Sequence, residues 1–150
     1  MPAPRHADPF GTTMEFIVIG APRSANANTR SRRRWRERVS RAARKRLREE
    51  GGSGPTDQDV SVLIIYFYQG EATIDVDNIA KSLLDGLKSV GFRDDRQVSE
   101  LRVRKTPFGV GLSLTGASLY LLEAIERMSQ TSSDFVYVRV DPAPDHGRIP

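Results

Sequence analysis

A chain of 150 residues is long enough for one domain with a modest core and too short for two. It has no cysteine, which excludes disulfides and thiolate zinc sites and fits a reducing cytoplasm. Its net charge of +4 hides a strong asymmetry, since 11 of the 23 basic residues and one of the 19 acidic residues fall between Arg30 and Arg48. That stretch carries +10 and the remainder −6, a balance suited to a polyanion and a cation held by one small protein.

Residues 1–13 are rich in proline and polar side chains without period, and are expected to be a disordered extension lacking the apolar centre of a secretion signal. Residues 15–19 read as a strand closed by Gly20-Ala21-Pro22, and residues 23–29 as a polar loop able to lie along a phosphate backbone. Over residues 31–50, Trp35, Val39, Ala42, Ala43 and Leu47 recur at helical period among arginines, predicting a helix that buries one narrow stripe. Gly51-Gly52-Ser53-Gly54-Pro55 ends it. Val60–Tyr68 is nearly continuous in β-branched, aliphatic and aromatic residues, which predicts a central strand covered on both faces and is too short to cross a bilayer.

The segment from 75 to 105, DVDNIAKSLLDGLKSVGFRDDRQVSELRVRK, holds the chemistry. Asp75 and Asp77 stand two apart, so on an extended segment both side chains point to one side and share a cation. Asp77 is expected to cap an amphipathic helix over residues 78–90 bearing Ile79, Leu83, Leu84, Leu87 and Val90, with Gly91 stopping it. Lys81 falls one turn beyond Asp77, and Asp94-Asp95 precedes a strand over residues 98–105. Each piece alone has a plainer meaning: an Asp-x-Asp-Asn is a turn with a helix cap, an Asp-Asp is turn chemistry, and Lys81 pairs with Asp77 or Asp85 for a few tenths of a kcal/mol. Beyond this segment, residues 118–128 predict a further helix, residues 135–140 a last strand, and residues 141–150 a tail.

The joint pattern DVDNIAKSLLDGL, then KSVGFR, then DDRQV and LRVRK resembles the RusA family of Holliday-junction resolvases, phage-type endonucleases of four-way DNA. MEFIVIGAPRSANAN resembles the family's first strand and proline-containing loop, so the likeness runs from about residue 14 to 105. It implies a RusA-like α/β (α+β) domain over residues 14–140, a small mixed sheet with two main helices in the order β-α-β-α-β, then the extra helix and final strand. Carried over by position, it implies metal-binding carboxylates at Asp75, Asp77 and Asp95 and a catalytic lysine at Lys81. Asp85 and Asp94 match the pattern and are taken as supporting groups.

Magnesium is the implied cofactor, with manganese able to substitute, and no small-molecule cofactor is expected. DNA contacts are expected from Arg30, Arg32, Arg33, Arg34 and Arg38 on the basic helix and from Arg93, Arg104 and Lys105 near the aspartate pair. The leading expectation is therefore a soluble cytoplasmic endonuclease with no membrane partner, resolving Holliday junctions by paired symmetric nicks as a homodimer. Flaps, forks or other branched DNA form a second substrate class, and an inactive basic DNA-binding module a reading from a different class. The family often has a basic run just before the first aspartate, where this chain has Glu71-Ala72-Thr73-Ile74.

Overall fold

The structure, a computed structural model, describes residues 14–23, 27–52, 54–108, 111–147 and 149. The expected N-terminal extension, residues 1–13, lies outside them. The chain runs β1 (Met14–Ile19), α1 (Thr29–Glu49), β2 (Val60–Tyr68), α2 (Val76–Leu87), a 3-10 turn (Asp95–Gln97), β3 (Val98–Pro107), α3 (Leu119–Thr131) and β4 (Phe135–Pro142). The strands form one mixed sheet in the order β1-β4-β2-β3, so the predicted α/β class and element order hold. β4 is antiparallel to both β1 and β2, whereas β2 and β3 are parallel and joined by the α2 crossover.

Alternation along the strands divides the core in two. On one face Phe16, Val62, Ile64 and Val138 meet Trp35, Val39 and Ala43 of α1 and Ile79, Leu83 and Leu87 of α2. On the other face Phe67, Phe135 and Tyr137 meet Leu121 and Met128 of α3, the added helix. Burial of each of these large apolar side chains stabilises the fold by roughly 1.5–3 kcal/mol relative to exposure. Residues 35, 39 and 43 lie four apart, which is why α1 buries only a stripe and leaves its arginines in water.

α1 starts two residues earlier than the hydrophobic period suggests, because the Asn28 side chain accepts the Ser31 N–H at 2.9 Å and caps it. α1 and α2 cross tightly at Gly86. A Cβ there would fall 2.6 Å from the Val39 Cβ, and Ser40 Oγ donates to the Gly86 carbonyl at 2.6 Å. α2 ends at Leu87 rather than near Gly91: Lys88 is extended, Ser89 has φ 73°, and Val90 is buried from a turn instead of a helix. β4 runs two residues into the segment expected to be a tail.

The two sheet edges differ. At β1 the Ile17 N–H, on the strand's outer side, donates to the Tyr120 hydroxyl of α3 at 3.1 Å. β3 pairs with β2 alone, and among the described residues no strand covers its other edge.

Candidate active site

The loop after β2 delivers Asp75 as the N-cap residue of α2, in extended conformation and with no side-chain cap bond. Asp77 is already helical, in the first turn, where the unpaired N–H groups make the helix end positive. Asp75 and Asp77 are therefore not neighbours on one extended strand, and Asp75 rather than Asp77 holds the cap position. The helix begins one residue before Asp77, which turns its side chain to the α2 surface.

The second acidic element is built by Gln97. Its side-chain oxygen accepts the Arg93 and Asp94 N–H groups at 2.8 and 2.9 Å, and its amide donates to the Thr56 and Gln58 carbonyls at 2.9 Å each. Asp94 completes a capping box by accepting the Arg96 N–H at 2.9 Å. Hydrogen bonds from the Arg96 side chain, then from its N–H, hold the Asp94 carboxyl below the usual carboxylate range. Asp94 is thus consumed in shaping the turn, and Asp95, the next residue, is left exposed. Arg93, expected at DNA, is ion-paired with Asp57.

Between α2 and β3 lies a groove of about 590 Å³ lined on its polar side by Asp77, Lys81, Asp85 and Asp95 and on its apolar side by Val76, Leu101 and Val103. All four charged residues are exposed, and among the described residues none of them makes an ion pair or a side-chain hydrogen bond. The plain alternative for Lys81, an intrahelical pair with Asp77 or Asp85, is not formed. Carboxylate oxygens are the donors that a hard dication takes, so the residue types fit magnesium. Their spacing within one chain does not make a single cage. Asp75 stands at the start of α2 and Asp95 beyond its end, with a helix of 12 residues, about 18 Å at 1.5 Å per residue, between them. Among the described residues no three acidic or histidine side chains are grouped to hold a metal ion.

The groove opens onto basic surface. Lys81 and Asp85 also line a cleft of about 150 Å³ shared with Arg23, Arg32 and Arg36. Asp85 borders a second hollow of about 510 Å³ among Arg33, Arg36, Arg41, Arg44 and Arg48. Arg32 and Arg33 thus lie beside the acidic groove, while Arg30 and Arg34 are exposed on α1 without lining these clefts. Arg38 is engaged internally, donating to the Ile19 carbonyl and resting 5.7 Å from the centre of the Trp35 ring. Lys105 shares the groove face of β3 with Leu101 and Val103 by alternation, whereas Arg104 lines a cavity on the α3 face.

Arg36 and Gln97 escape a sequence reading, and Arg23 is marked only as part of the polar loop over residues 23–29. Arg23 and Arg36 join Arg32 at Lys81, and Arg36 was signalled only by its four-residue spacing from Arg32. Gln97 looks like an ordinary polar residue in DDRQV, and nothing local marks its four hydrogen bonds.

No curated protein matches the chain. The family model for endodeoxyribonuclease RusA matches residues 21–110, which is 90 of the 150 residues and takes in α1, β2, α2, the 3-10 turn and β3. With the groove of Asp77, Lys81, Asp85 and Asp95 lying wholly inside that span, the chain belongs to the RusA family of endodeoxyribonucleases, which resolve Holliday junctions.

Proposed function

We propose that this protein is a magnesium-dependent, structure-selective endonuclease that resolves four-way DNA junctions by paired symmetric nicks as a homodimer. The observation that carries the proposal is the groove itself, lined by Asp77, Lys81, Asp85 and Asp95, none of them ion-paired among the described residues, and joined through Lys81 and Asp85 to an arginine-lined cleft. Unpaired exposed carboxylates repel one another, and a bound cation relieves that repulsion. When bound, magnesium or manganese supplies positive charge at the phosphate and a polarised water. Asp75 and Asp77, at the start of α2, are the residues that would hold it, whereas Asp95, about 18 Å of helix away, would not reach the same ion within one chain.

The protein's own groups do the rest. Lys81 projects its ammonium from the turn of α2 after Asp77 and stabilises negative charge developing on the scissile phosphate. Arg32 and Arg36 take flanking phosphates on the other side of Lys81, so one strand is led from the basic cleft into the acidic groove. Arg33, Arg41 and Arg44 extend the same track along α1. A junction has twofold symmetry, and two symmetric cuts require two such sites, which a homodimer provides.

Asp77→Asn tests the assignment. The exposed side chain has no partner among the described residues, so the variant is expected to fold, to bind a labelled four-way junction as tightly as wild type or more tightly, and to lose cleavage. Joint loss of binding and cleavage in a folded variant contradicts the assignment.

A further inference from the structure

We propose that the face of the sheet away from the acidic groove holds a binding site for a small amphipathic carboxylate, seated in the cavity between the sheet, α3 and the segment that leads into α3. The site stands apart from the nuclease reading, because β3 turns Leu101 and Val103 to the groove and Arg104 to this cavity.

The two faces of β2 are covered unequally. Val62 and Ile64 are fully buried in the core shared with α1 and α2, whereas Leu63 and Ile65, which alternate with them in the same central strand, are only half-buried. α3 seals one end of its own face, where Phe67, Phe135 and Tyr137 pack against Leu121 and Met128. Beside that cluster lies a cavity of about 200 Å³, lined by Leu63 and Ile65 from the sheet, Leu121 and Ile125 from α3, and residues 112–118 from the segment between β3 and α3. An apolar cavity of about 150 Å³ takes a benzene molecule, and pockets for drug-sized ligands run to roughly 300–1,000 Å³. The guest that fits is therefore a short chain or a single ring, and it covers apolar surface that the fold itself leaves half open.

The strands on either side of β2 set the guest's charge. In register, Ile65 stands beside Arg104 of β3, and Leu63 beside Arg139 of β4. Both arginines line the cavity, and among the described residues no acidic side chain does. Arg139 is held by Asp141 through a 2.8 Å hydrogen bond, while Arg104 makes no ion pair or side-chain hydrogen bond among the described residues. A guanidinium without a partner beside an apolar cavity is matched by a carboxylate, which it can hold through two parallel hydrogen bonds. Inorganic phosphate would leave Leu63 and Ile65 uncovered, and an uncharged hydrocarbon would leave Arg104 unpaired.

Titrating the protein with sodium hexanoate while following its methyl resonances tests the proposal. The Leu63 and Ile65 methyls are expected to shift and saturate, and those of Leu84 and Val103 on the groove face to stay in place. Each buried methylene tightens binding about fourfold, so hexanoate should bind about 16-fold more tightly than butyrate. Hexanoate should also bind more tightly than hexan-1-ol, and Arg104→Gln, at an exposed position, should erase that preference. Ala117→Leu, which fills the cavity from the segment before α3, should abolish binding. Equal affinity of the wild type for hexanoate and hexan-1-ol overturns the carboxylate assignment. A titration that does not saturate, or shifts confined to the groove face, overturns the site. Leu63 and Ile65 shifts that appear on raising the protein concentration without hexanoate assign this face to a second copy of the chain and overturn it as well.

Discussion

Removing Arg32 and Arg36 measures how much of DNA binding runs through the cleft at Lys81. Both side chains are exposed, line that cleft and have no ion-pair partner among the described residues, so Arg32→Gln/Arg36→Gln should leave the fold intact. If each guanidinium neutralises one phosphate, the slope of log K against log salt becomes shallower by about 0.9 per contact, about 1.8 per subunit. Across a fourfold change, from 50 to 200 mM salt, that removes about a 12-fold dependence of affinity on salt. Fluorescence anisotropy with a labelled four-way junction over that range gives the slope directly. Arg127→Gln is the control, because Arg127 is exposed on α3, across the sheet from the cleft, and should leave the slope unchanged. An unchanged slope in the double variant, or an equal loss in the control, refutes the placement of DNA along α1.

Gly86→Ala should lower Tm: helix propensity favours alanine by about 1 kcal/mol, but the added Cβ falls 2.6 Å from fully buried Val39, and such overpacking costs about 1–3 kcal/mol. Val39→Ala in the same chain removes the Cγ1 contact at 2.6 Å and leaves the Cβ contact at 2.6 Å, so it should relieve the clash in part, and a double variant less stable than the sum of the single losses contradicts this account of the crossing. Gln97→Ala strips four hydrogen bonds from the turn before β3 and should cost about 1–3 kcal/mol in urea unfolding, with loss of cleavage through a displaced Asp95; wild-type stability and activity would exclude that role. Burial, and then hydrogen bonds to Asp134 and Glu15, raise the Tyr66 and Tyr137 phenols above their ordinary 10.0. Both protonated forms are favoured by folding, so their contribution is complete below about pH 10 and is lost as pH rises above it. Denaturant titrations between pH 9 and 12 should show this decline, and Tyr66→Phe/Tyr137→Phe should flatten it; an equally steep decline in the variant would assign it to other groups.

The buried stripe of α1 and the strand character of β2 were legible because periodicity is local: Trp35, Val39 and Ala43 are helical neighbours whatever surrounds them. The DVDNIAK and DDRQV motifs likewise marked the acidic groove. What escaped depends on contacts distant in sequence. Eleven basic residues between Arg30 and Arg48 look alike as text, yet Arg46 donates to the Glu15 carbonyl at 3.0 Å and covers the Tyr120 ring at 4.0 Å. Arg38 is tied to Ile19 in the same way, while Arg32 and Arg36 have no ion-pair partner among the described residues and line the cleft at Lys81. Arg104 and Lys105 are adjacent in sequence and point to opposite faces, which only the sheet register resolves. The start of α2 moved by two residues because Asp75, Asp77 and Asn78 all have the chemistry of a cap. The separation of Asp95 from Asp75 followed from the parallel pairing of β2 with β3, which hydrophobic patterning does not reveal.

The central claim is that this groove cuts branched DNA. Incubating the purified protein with end-labelled four-way junction, flap and linear duplex, with and without magnesium, tests it most directly. The account predicts symmetric nicks in opposite strands of the junction, only with the metal present, and an intact linear duplex; failure to cut any of the three at any magnesium or manganese concentration would contradict it and leave a DNA-binding module.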